Sequence, residues 1–190
     1  MNELNFTRSV LNWYDSGHRD LPWRRTKDAY SIWVSEIMLQ QTRAETVIPY
    51  YERFLSHYPD VHALASAPQE ELLKLWEGLG YYSRARSLQK AAQIIVSRHG
   101  GVLPADAEQL RALPGIGDYT SGAIAAIAFG IPVPAVDGNV ERVICRYFAI
   151  RDEMGSPAAR KRIQQQTQTL VPPDRPGAFA NAMMEMGAVM

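Results

Sequence analysis

The sequence predicts an all-α fold, and three features of the chain support that prediction. Apolar residues in the first segment recur at helical spacing, at Phe6, Val10, Trp13 and Tyr14. No segment alternates between apolar and polar residues with period two, as a half-buried strand would. Glycine or proline separates successive helical patterns, as at Gly100.

After the first helix, the same periodicity predicts ten more. Proline followed by acidic residues is a favourable helix start, because the acids lie at the positive end of the helix dipole. The helix after Pro68 begins in this way. The predicted ranges are 29–42, 46–57, 61–65, 69–77, 83–98, 106–113, 121–129, 139–148, 156–170 and 176–189.

The composition is that of a globular protein, with 46% hydrophobic and 21% charged residues. The chain has one cysteine, Cys145, so no internal disulfide forms and a reducing compartment is expected. The N-terminal residues lack the pattern of a signal peptide, and the most apolar stretch, 122–136, is too short to span a bilayer. We therefore expect a protein that works away from membranes and is cytoplasmic, or nucleoid-associated if bacterial. We also expect a monomer.

The charge balance does not point to a nucleic-acid binder. Twenty basic residues balance twenty acidic ones, whereas such proteins often carry a strong positive excess. Two local basic groups, Arg24 with Arg25 and Lys27, and Arg84 with Arg86, form either a basic face or ordinary solvated surface.

A glycine turn between two helical segments is the first candidate site. Residues 113–124 read LPGIGDYTSGAI, in which Pro114, Gly115 and Gly117 suit a tight reversal that another backbone can approach closely. The small-residue helix that follows presents free N–H groups and a positive dipole end to a phosphate oxygen. The longer pattern resembles the helix–hairpin–helix element of DNA repair proteins, which grips the DNA backbone without reading sequence. The alternative is an ordinary helical corner.

Glu36 is the candidate general acid. On a helix it shares a largely apolar face with Ile32, Trp33, Leu39 and Gln40, so it would be partly desolvated. Desolvation disfavours the charged carboxylate, as a general acid at neutral pH requires. The alternative is a side chain that bends back to solvent or pairs with a basic residue such as Arg43.

Asp137 is the second candidate carboxylate. It precedes Gly138 and Asn139 at the start of a predicted helix, where Asp commonly caps the N-terminus. The backbone N–H groups that a cap accepts from would also keep the carboxylate ionised beside a cationic transition state. A protonated acid and an ionised acid together are the pair that cleaves a bond between a sugar and its leaving group.

The chain carries three elements in this order: SEIMLQQTR, LPGIGDYTSGAIAAIAFG and VDGNVERV. In these it resembles the MutY family of adenine glycosylases, within the helix–hairpin–helix glycosylase superfamily. The similarity covers essentially all 190 residues and extends to LPWR, WEGLGYYSRAR and the final NAMMEMGAV.

The resemblance implies a role for each catalytic candidate. Glu36 would protonate the imidazole edge of the adenine and then act as base toward water. Asp137 would stabilise the oxocarbenium-like sugar or capture it covalently. Tyr119 would hydrogen-bond near that carboxylate, and Asn139 would support the same site.

The resemblance also implies residues that bind substrate and DNA. Gln41 and Tyr81 would push into the base stack opposite the flipped nucleotide, and Thr42 would also bind DNA. Arg24 and Trp23 would line the adenine pocket.

The implied activity is hydrolysis of the bond between deoxyribose and an adenine mispaired with 8-oxoguanine or guanine. The implied partner is duplex DNA, from which the base must be flipped. In the similar endonuclease III family, a lysine that forms a Schiff base stands where this chain has Tyr119, so a monofunctional hydrolase is favoured. The alternatives are an endonuclease III-like enzyme acting on oxidised pyrimidines, and a DNA-binding module without catalysis.

The chain departs from the family at its end. MutY-like proteins carry four cysteines that bind a [4Fe-4S] cluster just after the motif that reads MEMGAVM here. Cys145 alone cannot hold a cluster, so no metal site is expected within residues 1–190 and the cluster is expected in the complete protein. The domain that recognises 8-oxoguanine is also expected outside this chain. We expect the chain alone to be poorly stable or weakly active.

The resemblance implies two helical lobes. Residues 24–131 would form a six-helix barrel that contains the hairpin at 113–119. Residues 1–23 and 132–190 would form the second lobe. DNA would lie in the cleft between the lobes, with Glu36 and Asp137 facing one another.

Overall fold

The computed structural model describes residues 3–189, and throughout that range the regular elements are helices. The all-α prediction is therefore confirmed. The described residues form a 3-10 turn (Pro22–Arg24) and the helices α1 (Glu3–Gly17), α2 (Ala29–Leu39), α3 (Ala44–His57), α4 (Val61–Ser66), α5 (Gln69–Leu75), α6 (Ser83–His99), α7 (Ala107–Arg111), α8 (Asp118–Phe129), α9 (Gly138–Tyr147), α10 (Pro157–Leu170) and α11 (Pro176–Val189).

Two helix ends differ from the prediction in ways that affect the site. Helix α2 ends at Leu39 and not at residue 42, because Gln40 has a ψ of 112°, which is not helical, and Gln41 then has a φ of +59°. Helix α8 begins at Asp118, three residues before its predicted start. Tyr119 consequently lies in the first turn of a helix and not in a loop.

The chain divides into two compact units. One comprises residues 20–124, and the other combines the N-terminal residues to Arg19 with those from Ala125 onward. The boundary at residue 124 falls within α8, whereas the lobe boundary implied by the resemblance was residue 131. The implied lobes stay a prediction.

Helix α2 is the buried element of the unit formed by residues 20–124. It begins at Asp28, whose carboxylate accepts a 2.7 Å hydrogen bond from the backbone N–H of Ser31. Every residue from Ile32 to Met38 is buried, and the helix packs against α3 and α6. A helix that is apolar around most of its circumference suits such a position.

In the other unit, α11 packs against α9 and α1, and α10 packs against the same two helices. Its core includes Val10, Ile144, Phe179 and Met183. Glycine permits the close approach of α11 to α9, because a Cβ on Gly187 would lie 2.5 Å from the carbonyl oxygen of Asn139. Within the described residues, no helix is long and apolar enough to cross a membrane.

Candidate active site

Glu36 lies in the middle of α2 with only 4% of its surface exposed. Ile32 and Trp33, one turn before it, are also buried, at 1% and 0% exposed. The prediction of an acid on an apolar face is confirmed, and the alternative of a side chain that returns to solvent is wrong. A buried carboxyl group requires a polar partner, because its desolvation is otherwise costly.

Tyr119 supplies a partner to Glu36. The tyrosine hydroxyl donates to Oε2 of Glu36 over 2.5 Å. This distance is in the short range typical of a hydroxyl that donates to a carboxylate. The resemblance implied a contact of Tyr119 near Asp137, which lies in the other unit, and that contact stays a prediction.

The glycine turn positions Tyr119, because α8 begins within it. The N–H of Ile116 donates to the carbonyl of Leu113 over 3.2 Å, and Gly115 has a φ of +79°, in the region that favours glycine. A Cβ on Gly115 would also lie 2.8 Å from Cβ of Ser87. The tight reversal is confirmed at Gly115, where both the φ angle and the neighbouring helix require glycine.

Gly117 is different from Gly115. It is exposed, and a Cβ built there would meet no atom within 4 Å. Pro114, in the same turn, is half-buried. Close to the turn, the Arg111 guanidinium forms an ion pair with the Asp118 carboxylate at 2.9 Å, and both side chains are exposed. Nothing within this unit therefore requires glycine at position 117.

Asp137 caps α9, as predicted. Its Oδ1 accepts from the backbone N–H of Val140 over 2.8 Å, and its Oδ2 accepts from the side-chain amide of Asn139 over 2.8 Å. Both carboxylate oxygens therefore accept hydrogen bonds from N–H donors. Asn139 therefore contacts Asp137 directly, and its support of a catalytic site stays a prediction.

Arg142 was not predicted from the sequence, although it holds Asn139. Its guanidinium donates to Oδ1 of Asn139 over 3.1 Å and also to the carbonyl oxygen of Gly187. The three-residue spacing places Arg142 and Asn139 on one face of α9. The sequence could have indicated the contact with Asn139 through this spacing. It contains nothing that indicates the contact with Gly187 in α11.

Gln41 and Tyr81 are both exposed, and both adopt left-handed backbone conformations, with φ angles of +59° and +46°. The exposed fraction of Tyr81 is 64%, which is high for an aromatic residue. Thr42 is half-buried, and its hydroxyl lies 3.4 Å from the carbonyl of Gln40. The contacts with DNA implied for these three residues stay predictions.

Trp23 and Arg24 lie in the 3-10 turn that precedes α2. Trp23 is 6% exposed and packs edge-on against the ring of Tyr51, with 5.5 Å between centroids. Arg24 is half-buried. Their lining of an adenine pocket stays a prediction, and the burial of Trp23 leaves little of its ring for a ligand.

The two basic groups do not behave as one surface. Arg25 pairs with Asp20, with both side chains exposed. Arg84 is half-buried, and its guanidinium donates to backbone carbonyls. Arg84 therefore belongs neither to a basic face nor to the solvated surface, whereas Arg86 is exposed.

The residues of the described range do not fit a metal ion or an iron–sulfur cluster. Among residues 3–189, no group of three or more His, Cys, Asp or Glu side chains could hold a metal. Cys145 lies 3.7 Å from the sulfur of Met154, and burial raises the pKa of its thiol. A raised pKa makes the thiolate, the form that binds metals, less available at neutral pH.

The four catalytic candidates form two local sites. Glu36 and Tyr119 lie in the unit of residues 20–124, and Asp137 and Asn139 lie in the other. The meeting of the two carboxyl groups in one cleft stays a prediction.

Comparison with known proteins confirms the resemblance. Residues 34–173 match the HhH-GPD superfamily of base excision DNA repair proteins. Adenine DNA glycosylases of Homo sapiens and Rattus norvegicus share 49% and 50% sequence identity with this chain, in alignments that cover 97% of it. The chain spans only 36% and 38% of the lengths of those two relatives.

Solved structures confirm the predicted all-helical glycosylase fold. A thermostable thymine-DNA glycosylase has a TM-score of 0.90 and 31% identity, with 99% of this chain and 87% of that one covered. A non-covalent endonuclease III–DNA complex has a TM-score of 0.80 at 22% identity, covers 97% and 85% of the two chains, and shares the fold. The chain therefore belongs to the HhH-GPD superfamily of base excision DNA repair proteins.

Proposed function

We propose that this chain is the catalytic part of a monofunctional adenine DNA glycosylase. It would hydrolyse the N-glycosidic bond of an adenine mispaired with 8-oxoguanine or guanine in duplex DNA. The observation that carries the proposal is the buried Glu36, which accepts a hydrogen bond from Tyr119 at the start of α8. The names of the adenine glycosylase relatives supply the substrate.

Glu36 is the general acid in this proposal. Its burial disfavours the charged form, so it can hold a proton for the leaving base. The proton passes from the Glu36 carboxyl to N7 of adenine, and the bond between C1′ and N9 breaks with its electron pair on the base. A water molecule then adds to C1′ and returns a proton to the Glu36 carboxylate.

Asp137 stabilises the positive charge that develops on the sugar. Its two oxygens are held by Val140 and Asn139, so the carboxylate is fixed and needs no reorganisation when the charge appears. Preorganised charge of this kind is a large contribution to catalysis. This role requires the two units to bring Asp137 to the same substrate as Glu36.

The hairpin and the two left-handed turns would bind the DNA. Gly117 is exposed, and the space where a Cβ would lie is empty. A phosphate can therefore approach the N-terminus of α8 at this residue. Gln41 and exposed Tyr81 would enter the base stack and stabilise the flipped state. Backbone binding of this kind needs no strong positive excess, because N–H donors replace part of the basic charge.

An iron–sulfur cluster supplies no step in this proposal. Four thiolates bind such a cluster, and the chain has one cysteine.

The test compares Glu36→Gln with the unchanged chain on a duplex that contains adenine opposite 8-oxoguanine. We expect the single-turnover rate of adenine release to fall by about 10²–10⁴-fold, the usual contribution of a general acid, while duplex binding is retained. The matched control is Glu52→Gln, an exposed glutamate of α3, which should release adenine at the parent rate.

The other outcomes identify the rival functions. A covalent adduct trapped with borohydride on a duplex with an oxidised pyrimidine would favour an endonuclease III-like enzyme. Release of thymine in place of adenine from mismatched duplexes would favour the activity named for the structural neighbour. Duplex binding without release of any base would leave a DNA-binding module.

A further inference from the structure

Arg84 lies in the first turn of α6, and its guanidinium binds backbone carbonyls of two separate turns. One nitrogen donates to the carbonyls of Ile37, Met38 and Gln40 over 2.9, 3.1 and 2.6 Å. The other donates to the carbonyls of Leu79 and Gly80 over 2.8 and 3.3 Å. The first set includes carbonyls at the C-terminus of α2 that have no partner within the helix. A positive charge at this end also interacts favourably with the negative end of the helix dipole.

Each turn ends in a left-handed residue that carries a side chain. Gln41 follows the bonded carbonyl of Gln40, and Tyr81 follows the bonded carbonyl of Gly80. Residues with a Cβ rarely adopt this conformation, and they keep it only where the surrounding structure holds the backbone. Arg84 provides such a hold on both turns at once.

The same guanidinium also lies close to the ring of Tyr81. Its central carbon is 5.6 Å from the Tyr81 ring centroid and 5.5 Å from that of Trp76, within the range of cation–π attraction. The indole N–H of Trp76 donates to the carbonyl of Gly80 over 3.1 Å, which adds a second hold on this turn. Arg84 and Trp76 thus fix both the backbone and the ring of an exposed aromatic residue.

We propose that Arg84 is a positioning residue that presents Gln41 and Tyr81 together to the DNA base stack. This inference rests on the proposed function, in which those two side chains enter the duplex. The two terminal nitrogens of Arg84 donate to five carbonyls, so the contribution of this residue to DNA binding passes through the two turns and not through a phosphate. Lysine cannot replace it, because a single ammonium lacks the planar fork that reaches two sets of acceptors.

The test is a double-mutant cycle on duplex binding. The probe is a duplex with adenine opposite 8-oxoguanine, in which a 2′-fluorine on the adenosine prevents cleavage, and affinity is measured by fluorescence anisotropy. We expect Arg84→Met to weaken binding by about tenfold, the effect of losing one stacking contact. In a Gln41→Ala/Tyr81→Ala background the same substitution should change the affinity by less than about twofold, because coupled residues are not additive.

Two further measurements separate positioning from other roles. The slope of log affinity against log salt should be the same for Arg84→Met as for the parent, since no phosphate contact is lost. Lys90→Met, which removes an exposed charge from the same helix, should leave affinity unchanged in both backgrounds. Arg84→Lys goes through the same cycle and decides the matter if Arg84→Met does not fold.

The outcomes distinguish the inference from the proposed function. Equal loss of affinity in both backgrounds, a reduced salt slope, or no loss at all would overturn the role of Arg84. A parent chain that binds the duplex but releases no adenine would overturn the proposed function alone. A parent chain that binds no duplex would overturn both.

Discussion

The hydroxyl of Tyr119 donates a 2.5 Å hydrogen bond to Oε2 of Glu36, across 83 positions of the chain. This hydrogen bond joins the start of α8 to the centre of α2. The position of the Tyr119 hydroxyl beside the candidate general acid therefore depends on the conformation of the hairpin. A donor at this distance favours the ionised form of the carboxyl group, whereas burial favours the protonated form. The proton on Glu36 is therefore governed by two opposing influences, and one of them can be removed by mutation.

Tyr119→Phe should move the alkaline limb of the pH–rate profile to higher pH. Without the donor, the carboxyl group keeps its proton further into the alkaline range, so activity that requires the proton is lost later as the pH rises. The maximal rate of adenine release should fall by roughly tenfold, because one hydrogen bond that orients the acid is gone. Single-turnover rates between about pH 5 and pH 9 would show both effects.

Tyr30→Phe is the matched control for Tyr119→Phe. Tyr30 also lies in α2, and its hydroxyl donates over 2.8 Å to the carbonyl of Tyr58 and not to a carboxylate. Its loss should lower the free energy of unfolding by about 1 kcal/mol and leave the pH profile in place. A limb that moves to lower pH in Tyr119→Phe would show that the hydroxyl does not stabilise the ionised acid.

Asp137→Asn should separate the capping role of this residue from its charge. Asparagine caps helices about as well as aspartate, so the free energy of unfolding should change by less than about 1 kcal/mol. The rate of adenine release should fall by about 10²–10³-fold, because the charge that stabilises the sugar cation is removed. Thermal unfolding and single-turnover kinetics measure the two effects separately.

Asp60→Asn is the corresponding control for a cap without a catalytic role. Asp60 caps α4 and accepts from the backbone N–H groups of His62 and Ala63, each over 2.9 Å. Its substitution should alter stability by a similar amount and leave the rate unchanged. Equal rates for Asp137→Asn and the parent would remove Asp137 from the mechanism.

Much of the fold was predictable because its determinants are local. Helix periodicity, the cap at Asp137 and the apolar face around Glu36 depend on residues within a few positions of one another, and all three are found in the structure. The end of α2 was placed too late because residues 40–42 contain no glycine or proline to stop a helix. The helix stops where Gln40 adopts a ψ of 112°, before the left-handed Gln41, and the Gln40 carbonyl there accepts a hydrogen bond from the distant Arg84.

The contacts that were not predictable join distant parts of the chain. In the sequence, Arg84 is one of two cations near a helix start, and nothing in LGYYSRAR indicates that three of its acceptors are carbonyls 44 to 47 positions earlier. Backbone carbonyls leave no trace in the sequence, because every residue has one. The bond from Tyr119 to Glu36 was missed for the related reason that long-range pairing has no local signal.

Substitutions at the two hairpin glycines should have opposite consequences. Gly115→Ala should lower the free energy of unfolding by about 1–2 kcal/mol, because the residue is left-handed and a Cβ would crowd Ser87. Gly117→Ala should change stability by less than about 0.5 kcal/mol, since its Cβ would point into open space. The proposed contact with a phosphate should nevertheless make Gly117→Ala bind duplex DNA more weakly.

Urea unfolding and duplex anisotropy on the same two variants test this contrast. Gly155→Ala offers a control for the left-handed conformation alone, because that glycine has a φ of +81° with no atom within 4 Å of the added Cβ. Duplex affinity that is unaffected by Gly117→Ala would mean that DNA does not approach the hairpin at this residue.

The pair of Arg19 and Glu185 should show an asymmetric dependence on its two partners. Nε and one terminal nitrogen of Arg19 donate to the two oxygens of Glu185, each over 2.8 Å, and Glu185 is 2% exposed. Arg19→Met should lower the free energy of unfolding by about 3 kcal/mol, because it leaves a buried carboxyl group without its cation. Glu185→Gln should cost only about 1–2 kcal/mol, since an amide oxygen still accepts and the Arg19 side chain, 38% exposed, can be hydrated.

Asp15→Asn, in the exposed pair with Arg175, should leave the urea midpoint nearly unchanged, because exposed ion pairs contribute little. Equal losses for Arg19→Met and Glu185→Gln would show that burial of the carboxyl group is not the source of the cost.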